Sequence, residues 1–191
     1  MKQEELDIIL ENHEKWLRDE GGERADLRCA DLSNANLSNA DLSNADLSGA
    51  DLSGAGLIGA DLREVNLSYA NLRHADLSNA DLSNADLSNA DLREADLREA
   101  DLREVNLSYA DLNWVNWQDV RGLTVVAVQV DTTRKNNQIT YIKELDIWTT
   151  GCFQGTLNEL KAAVEKTHRH DEKLKERYYR VINFILNEVA E

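Results

Sequence analysis

The sequence predicts a mainly β solenoid carried between an amino-terminal helix and a small carboxy-terminal α+β module. Three observations predict it. Leucine occupies every fifth position from Leu27 to Leu112, 18 in succession, and Trp117 takes the next place. The position two residues before each leucine is Ala from Ala25 to Ala110, apart from Val65 and Val105, and Val115 continues the series. The residue immediately before each of those leucines is Asp or Asn, with the single exception of Gly56.

A period of five fails both standard templates. On an α-helix five residues advance the azimuth by roughly 140° net, so the leucines would spiral around the surface without forming an apolar stripe. On a flat strand five is odd, so successive leucines would alternate between the two faces. If each pentapeptide is a short extended piece followed by a corner, every Leu and Ala points to one axis. The two share a side because residues two apart on an extended chain do.

The unit Ala40-Asp41-Leu42-Ser43-Asn44 resembles the consensus of the pentapeptide repeat family, and the resemblance covers residues 25–119. It implies a right-handed quadrilateral β-helix in which four pentapeptides make one coil. The segment then forms a little under five coils, a tower roughly 23 Å tall at inter-strand spacing. Open coil ends carry unpaired backbone groups and need covers.

Residues 1–24 supply one cover. From residue 3 to 19 they place Leu6, Ile9, Leu10, His13, Trp16 and Leu17 on one helical face, and Gly21-Gly22 gives a carboxy-terminal stop before the first repeat. His13 on that face is expected to be a packed side chain and not a ligand. Residues 120–191 form the other end module. A strand is expected over 123–130, a turn at Asn136-Asn137, and one bent or two short strands over 139–148. Gly151-Cys152-Phe153-Gln154-Gly155 breaks the pattern. Thr156 with Glu159 is a capping-box signature opening a helix over 156–166, and a second helix spans 171–190. This module is similar to one attached to some bacterial and phage-associated members of the family, and it is expected to cap the last coil.

The formal net charge is −15, and its distribution matters more than its total. Residues 1–24 carry −4, residues 25–119 carry −12, and residues 120–191 carry +1. A surface this negative repels phosphate backbones, so the repeat is not expected to bind nucleic acid directly, and a basic protein surface would be attracted. Cys29 and Cys152, the two cysteines, give neither a disulfide framework nor a metal-ligand spacing. No basic and apolar signal sequence opens the chain and no window has the apolar length of a membrane span, so a cytoplasmic protein with no membrane partner is expected.

No catalytic, cofactor-binding or metal-binding residue is assigned, no cofactor is expected, and the chain is not expected to be an enzyme. The row Asp41, Asp61, Asp81, Asp101 would stand ~5 Å apart, but a uniform ladder lacks the unlike environments that acid/base chemistry needs. Hydrogen bonding to the coil corners is the expected role. His168 and His170 have no further ligands nearby in sequence. Residues 60–70 and 100–110 are identical, and their separation of forty residues is two of the coils that the resemblance implies, which puts Tyr69 and Tyr109 on one face about 10 Å apart with Asn89 between them, a candidate surface for a protein partner. The adjoining column is Asn34, Gly54, His74, Glu94, Trp114, and Arg93, Arg98 and Arg103 make mixed-charge walls of solvated ion pairs. Leu174, Tyr178, Val181 and Ile185 form an apolar seam on the last helix, a candidate for self-association as a homodimer.

The function expected is that of a non-enzymatic protein-protein interaction or scaffold protein, its protein partner unidentified. The alternative that the family resemblance implies is an acidic DNA mimic, because members that protect DNA gyrase resemble a duplex in width and charge. Against it stand the ordinary use of Asp before Leu in the family, a short tower, and an end module unlike the simple helical dimer cap of those proteins.

Overall fold

The computed structural model describes residues 1–130 and 138–189. The chain divides into two compact units, Met1–Gly122 and Leu123–Glu191. The turn expected at Asn136-Asn137 lies outside the described residues.

In the first unit, parallel bridges join residues twenty apart, from Asp26↔Asp46 through Asp41↔Asp61 to Asp101↔Arg121. Four pentapeptides therefore complete one coil and the chain bends once per quintet. Coils are laced by backbone hydrogen bonds of constant pattern. The Leu42 N–H donates to Asp61 C=O at 2.8 Å, and the Asp61 N–H donates back to Ala40 C=O at 2.9 Å. All of the repeat leucines are at most 2% exposed, so they fill the shaft of the unit, and the alanines from Ala45 to Ala100 are buried beside them. Alanine is what fits next to leucine where opposite walls approach; at Ala30, Ala35 and Ala40 of the first coil the cover is incomplete and burial is partial.

Each corner is a four-residue turn from Leu to Ala, closed by a backbone bond such as Ala45 N–H to Leu42 C=O at 2.9 Å. The third turn residue has positive φ at every corner, from Cys29 at 54° to Asp119 at 57°. That requirement explains the recurrent Asn and Gly there, the residues that enter the left-handed region most easily. The Asp or Asn before each Leu also closes locally. Asp41 Oδ1 accepts from the Ser43 N–H at 3.1 Å and from its hydroxyl at 2.7 Å, and the same pattern recurs at Asp81 with Ser83.

The amino-terminal helix is α1, Gln3–Leu17. Leu6 and His13 are buried against the first coil, Ile9, Leu10 and Leu17 are half-buried, and Trp16 is exposed.

The second unit is an antiparallel meander with two helices. Its strands are β1 (Val125–Gln129), β2 (Gln138–Ile142), β3 (Ile147–Thr150) and β4 (Phe153–Gly155), in that spatial order. The segment expected as one bent or two short strands is two, separated by a 3-10 turn, Lys143–Leu145, and by Asp146 with φ of 50°. The Gly-Cys-Phe-Gln-Gly segment does not simply break the pattern. Gly151 and Cys152 make a tight turn and the chain returns as β4, pairing Thr150 with Phe153 and Trp148 with Gly155. The helices are α2 (Leu157–Thr167) and α3 (Glu172–Glu188). Thr156 caps α2 in a reciprocal capping box with Glu159, and Asp171 caps α3 by accepting from the Leu174 N–H.

The apolar row on α3 is where sequence and structure part. Tyr178 and Ile185 are buried with Ile182 against Ile139, Tyr141, Trp148, Leu160 and Val164, and Leu174 and Val181 pack against the same cluster. The seam expected to be exposed is the module's own core, because the sheet needs one apolar face covered and α3 covers it. The basis for a homodimer through Leu174, Tyr178, Val181 and Ile185 falls with it.

Candidate interaction surface

The wall of the repeat unit is built of short hydrogen-bonded columns. At Asp61, Asp91, Asp96 and Asp101 the residue two places on is Arg, and each guanidinium folds back onto its aspartate. Arg28 does the same with Asp26. These ion pairs run to the aspartate on the same side of the corner. The guanidinium hydrogen bonds hold the Asp26, Asp91 and Asp101 carboxyls below the usual range, and Asp26 reaches about 2. At Asp61 burial is the largest influence and acts the other way, yet the Arg63 contacts leave the pKa lowered. Arg93 also lies 3.4 Å from Asp111 in the next coil. These are groups saturated by local partners, in surroundings that repeat from coil to coil. That is a structural wall and not a poised acid/base pair. Among the described residues no group of three or more His, Cys, Asp or Glu is arranged to hold a metal ion.

The aromatic corners depart from this uniformity. The Tyr69 N–H donates to Ser88 C=O and the Asn89 N–H to Ser108 C=O, both at 2.9 Å, so Tyr69, Asn89 and Tyr109 stand in one column on successive coils. Tyr69 is 70% exposed and Tyr109 is 88% exposed. Both occupy the left-handed corner, with φ of 59° and 61°. A bulky side chain there is strained relative to Asn or Gly, and so much exposure means that packing offsets little of the strain. One corner further along the same coil as Tyr109 stands Trp114, 36% exposed with φ of 61°. Below it in its own column, His74 Nδ1 lies 3.5 Å from Glu94. Sequence spacing places Trp114 in the column adjoining Tyr69, Asn89 and Tyr109, five residues after Tyr109, and its exposure adds it to the aromatic corners.

A closed stack of four-sided coils with a leucine shaft and left-handed corners defines a repeat β-helix. The chain belongs to the pentapeptide repeat family: the family model for pentapeptide repeats matches with 8 copies over residues 25–63, 45–84 and 80–116. No curated protein matches the chain. Among solved structures, the chain is similar to Rfr23, a pentapeptide repeat protein from the cyanobacterium Cyanothece 51142. Identity is 40% over 45% of this chain and 58% of that one, with a TM-score of 0.45. HetL from Nostoc sp. strain PCC 7120, a pentapeptide repeat protein involved in heterocyst differentiation regulation, is 37% identical over 52% of this chain and 54% of its own, with a TM-score of 0.40. QnrB1, a plasmid-mediated fluoroquinolone resistance protein, is 22% identical over 55% of this chain and 67% of its own, with a TM-score of 0.27. The chain spans a little over half the length of the first two, 58% and 54%. No helix among the described residues is long and apolar enough to cross a membrane.

Proposed function

We propose that the chain is a non-enzymatic interaction scaffold of the cytoplasm, in which a right-handed, four-sided β-helix of a little under five coils presents an aromatic column to a protein partner. The carrying observation is the pair Tyr69 and Tyr109, exposed at corners whose backbone favours Asn or Gly. Exposed Tyr, Trp and Arg are the residue types that dominate binding energy at protein interfaces. The net charge of −12 over residues 25–119 selects a basic partner surface. Binding is tested by immobilising the full chain, and separately Tyr69→Ser/Tyr109→Ser, and comparing the proteins retained from the native cell. A protein held by the wild type and lost from the double variant supports the reading. Equal retention by both removes this surface from it.

The charge also supports a second reading, an acidic DNA mimic acting on a DNA-binding protein such as DNA gyrase. Five of the six basic residues in 25–119 lie against aspartates of the same wall, so part of the acidity is neutralised locally and the scaffold reading stands ahead. A supercoiling assay with purified gyrase separates the two, since a mimic must inhibit the enzyme or protect it from a quinolone at micromolar protein.

A further inference from the structure

Within the coil stack, each wall carbonyl facing the preceding coil accepts an N–H from it, as Asp61 C=O does from Leu42. The first coil has no predecessor, and α1 supplies substitutes. The Met1 amino group donates to Asp31 C=O at 2.7 Å, Gln3 Nε2 to Asn36 C=O at 3.4 Å, and His13 to Ser43 C=O at 3.1 Å. Of these three groups only the imidazole also accepts, taking the Ala25 N–H on Nδ1 at 3.1 Å. A backbone N–H can only donate, which makes Nδ1 the bare nitrogen and Nε2 the protonated one that reaches Ser43. The ring is 0% exposed and stacks on Trp16, centroids 5.5 Å apart and planes 11° from parallel.

We propose that His13 is an acid-labile latch: the neutral ring clamps α1 onto the first coil, and a proton on Nδ1 breaks the clamp and frees the coil edge. A protonated Nδ1 would point its N–H at the N–H of Ala25, setting two donors face to face, and would bury a positive charge. Burial is accordingly the dominant influence and holds the His13 pKa below its ordinary value. Among the charged groups facing the ring, Asp41 of the first coil favours the proton, as does the Ser43 carbonyl, and Arg24 opposes it. The sign follows from the depressed folded-state value. The clamp contributes fully above about pH 6.5, the ordinary histidine value, and weakens as pH falls toward the folded-state pKa. Release bares the Asp31, Asn36 and Ser43 carbonyls, a strand edge able to pair with another chain.

The test uses the full chain between pH 7.5 and 5, following the His13 ring by nuclear magnetic resonance and the amide protection factors of α1 by hydrogen exchange. The wild type is expected to show a ring protonated on Nε2 at neutral pH and a titration midpoint below 6.5. Protection of α1 should fall by up to about tenfold per pH unit from about 6.5 down to that midpoint, then level off. His13→Gln keeps one donor and one acceptor but binds no proton, and its α1 protection should be flat with pH. A ring that titrates while α1 protection stays constant would overturn the latch, and so would equal pH dependence in His13→Gln. If Gln fails to hold the helix, the wild type decides alone: α1 protection that falls below about pH 6.5 and levels off at the ring's titration midpoint supports the latch, and protection that is flat above that midpoint or keeps falling beneath it rejects it.

Discussion

Replacing Tyr109 by Asn should make the protein more stable and a poorer binder at once. The backbone φ at this corner is 61°, in the left-handed region. A residue with a large side chain is disfavoured there by about 1–2 kcal/mol, whereas Asn enters the region readily. Tyr109 retains 88% of its surface, so only some tens of Å² are covered, which at about 25 cal/mol per Å² is under about 1 kcal/mol of lost burial. The relief of strain wins by about 0.5–1 kcal/mol. For a unit of residues 1–122 that corresponds to a rise of about 2–4 °C in the unfolding midpoint by calorimetry. The gain should be smaller for Tyr69→Asn, because Tyr69 is 70% exposed and loses more contact. In a pull-down or titration with the captured partner, Tyr109→Asn should bind at least several-fold more weakly, since truncating a hot-spot tyrosine costs more than about 1 kcal/mol. A Tyr109→Asn protein that melts below the wild type would refute the claim that this corner is strained for the sake of contact.

Other outcomes follow from the shaft and the wall. Leu72→Ala removes a side chain that is 0% exposed in mid-tower and should destabilise the repeat by about 3–5 kcal/mol in denaturant titration, with no change in the module's near-ultraviolet spectrum. Gly122→Ala should be costly by about 2–4 kcal/mol, as φ is +87° and a Cβ would sit 2.5 Å from the Arg103 nitrogen. The Asp26, Asp61, Asp91 and Asp101 carboxyls, Asp26 at about 2, have folded pKa values lowered from 3.8. Their contribution is complete above about pH 4 and lost as pH falls toward 2, so a melting temperature that declines chiefly in that window is expected. Thr156→Ala opens the capping box of α2 and should lower the module's stability by about 1 kcal/mol, read as a lower midpoint for the Trp148 fluorescence transition.

Sequence legibility followed the strength of local repetition. The leucine shaft was readable because a five-residue period has one geometric solution, a bend at every quintet, and Leu27 through Leu112 obey it without a gap. The Tyr69–Asn89–Tyr109 column was readable once the family resemblance implied four quintets per coil, and the bridges between residues twenty apart return the chain to the same face. The α3 seam was legible as an apolar stripe but not in its destination. Periodicity says which face of a helix is apolar, and only the packed sheet says whether that face is covered. Tyr178 and Ile185 belong to the module's core through contacts with strands some thirty residues or more away in the chain.

The sequence by itself determined the period, the shaft and the corner composition, since these depend on neighbours within a quintet; the face on which each side chain stands followed from the four quintets per coil that the family resemblance implies and the bridges show. The tertiary structure decided what a lone residue does where no repeat speaks for it. His13 became a two-way clamp because Ala25 and Ser43, 12 and 30 residues away, converge on its two nitrogens. The apolar face of α3 became core because the meander of β1 to β4 claimed it. Such roles are set by distances through space, which a one-dimensional pattern encodes only when it repeats.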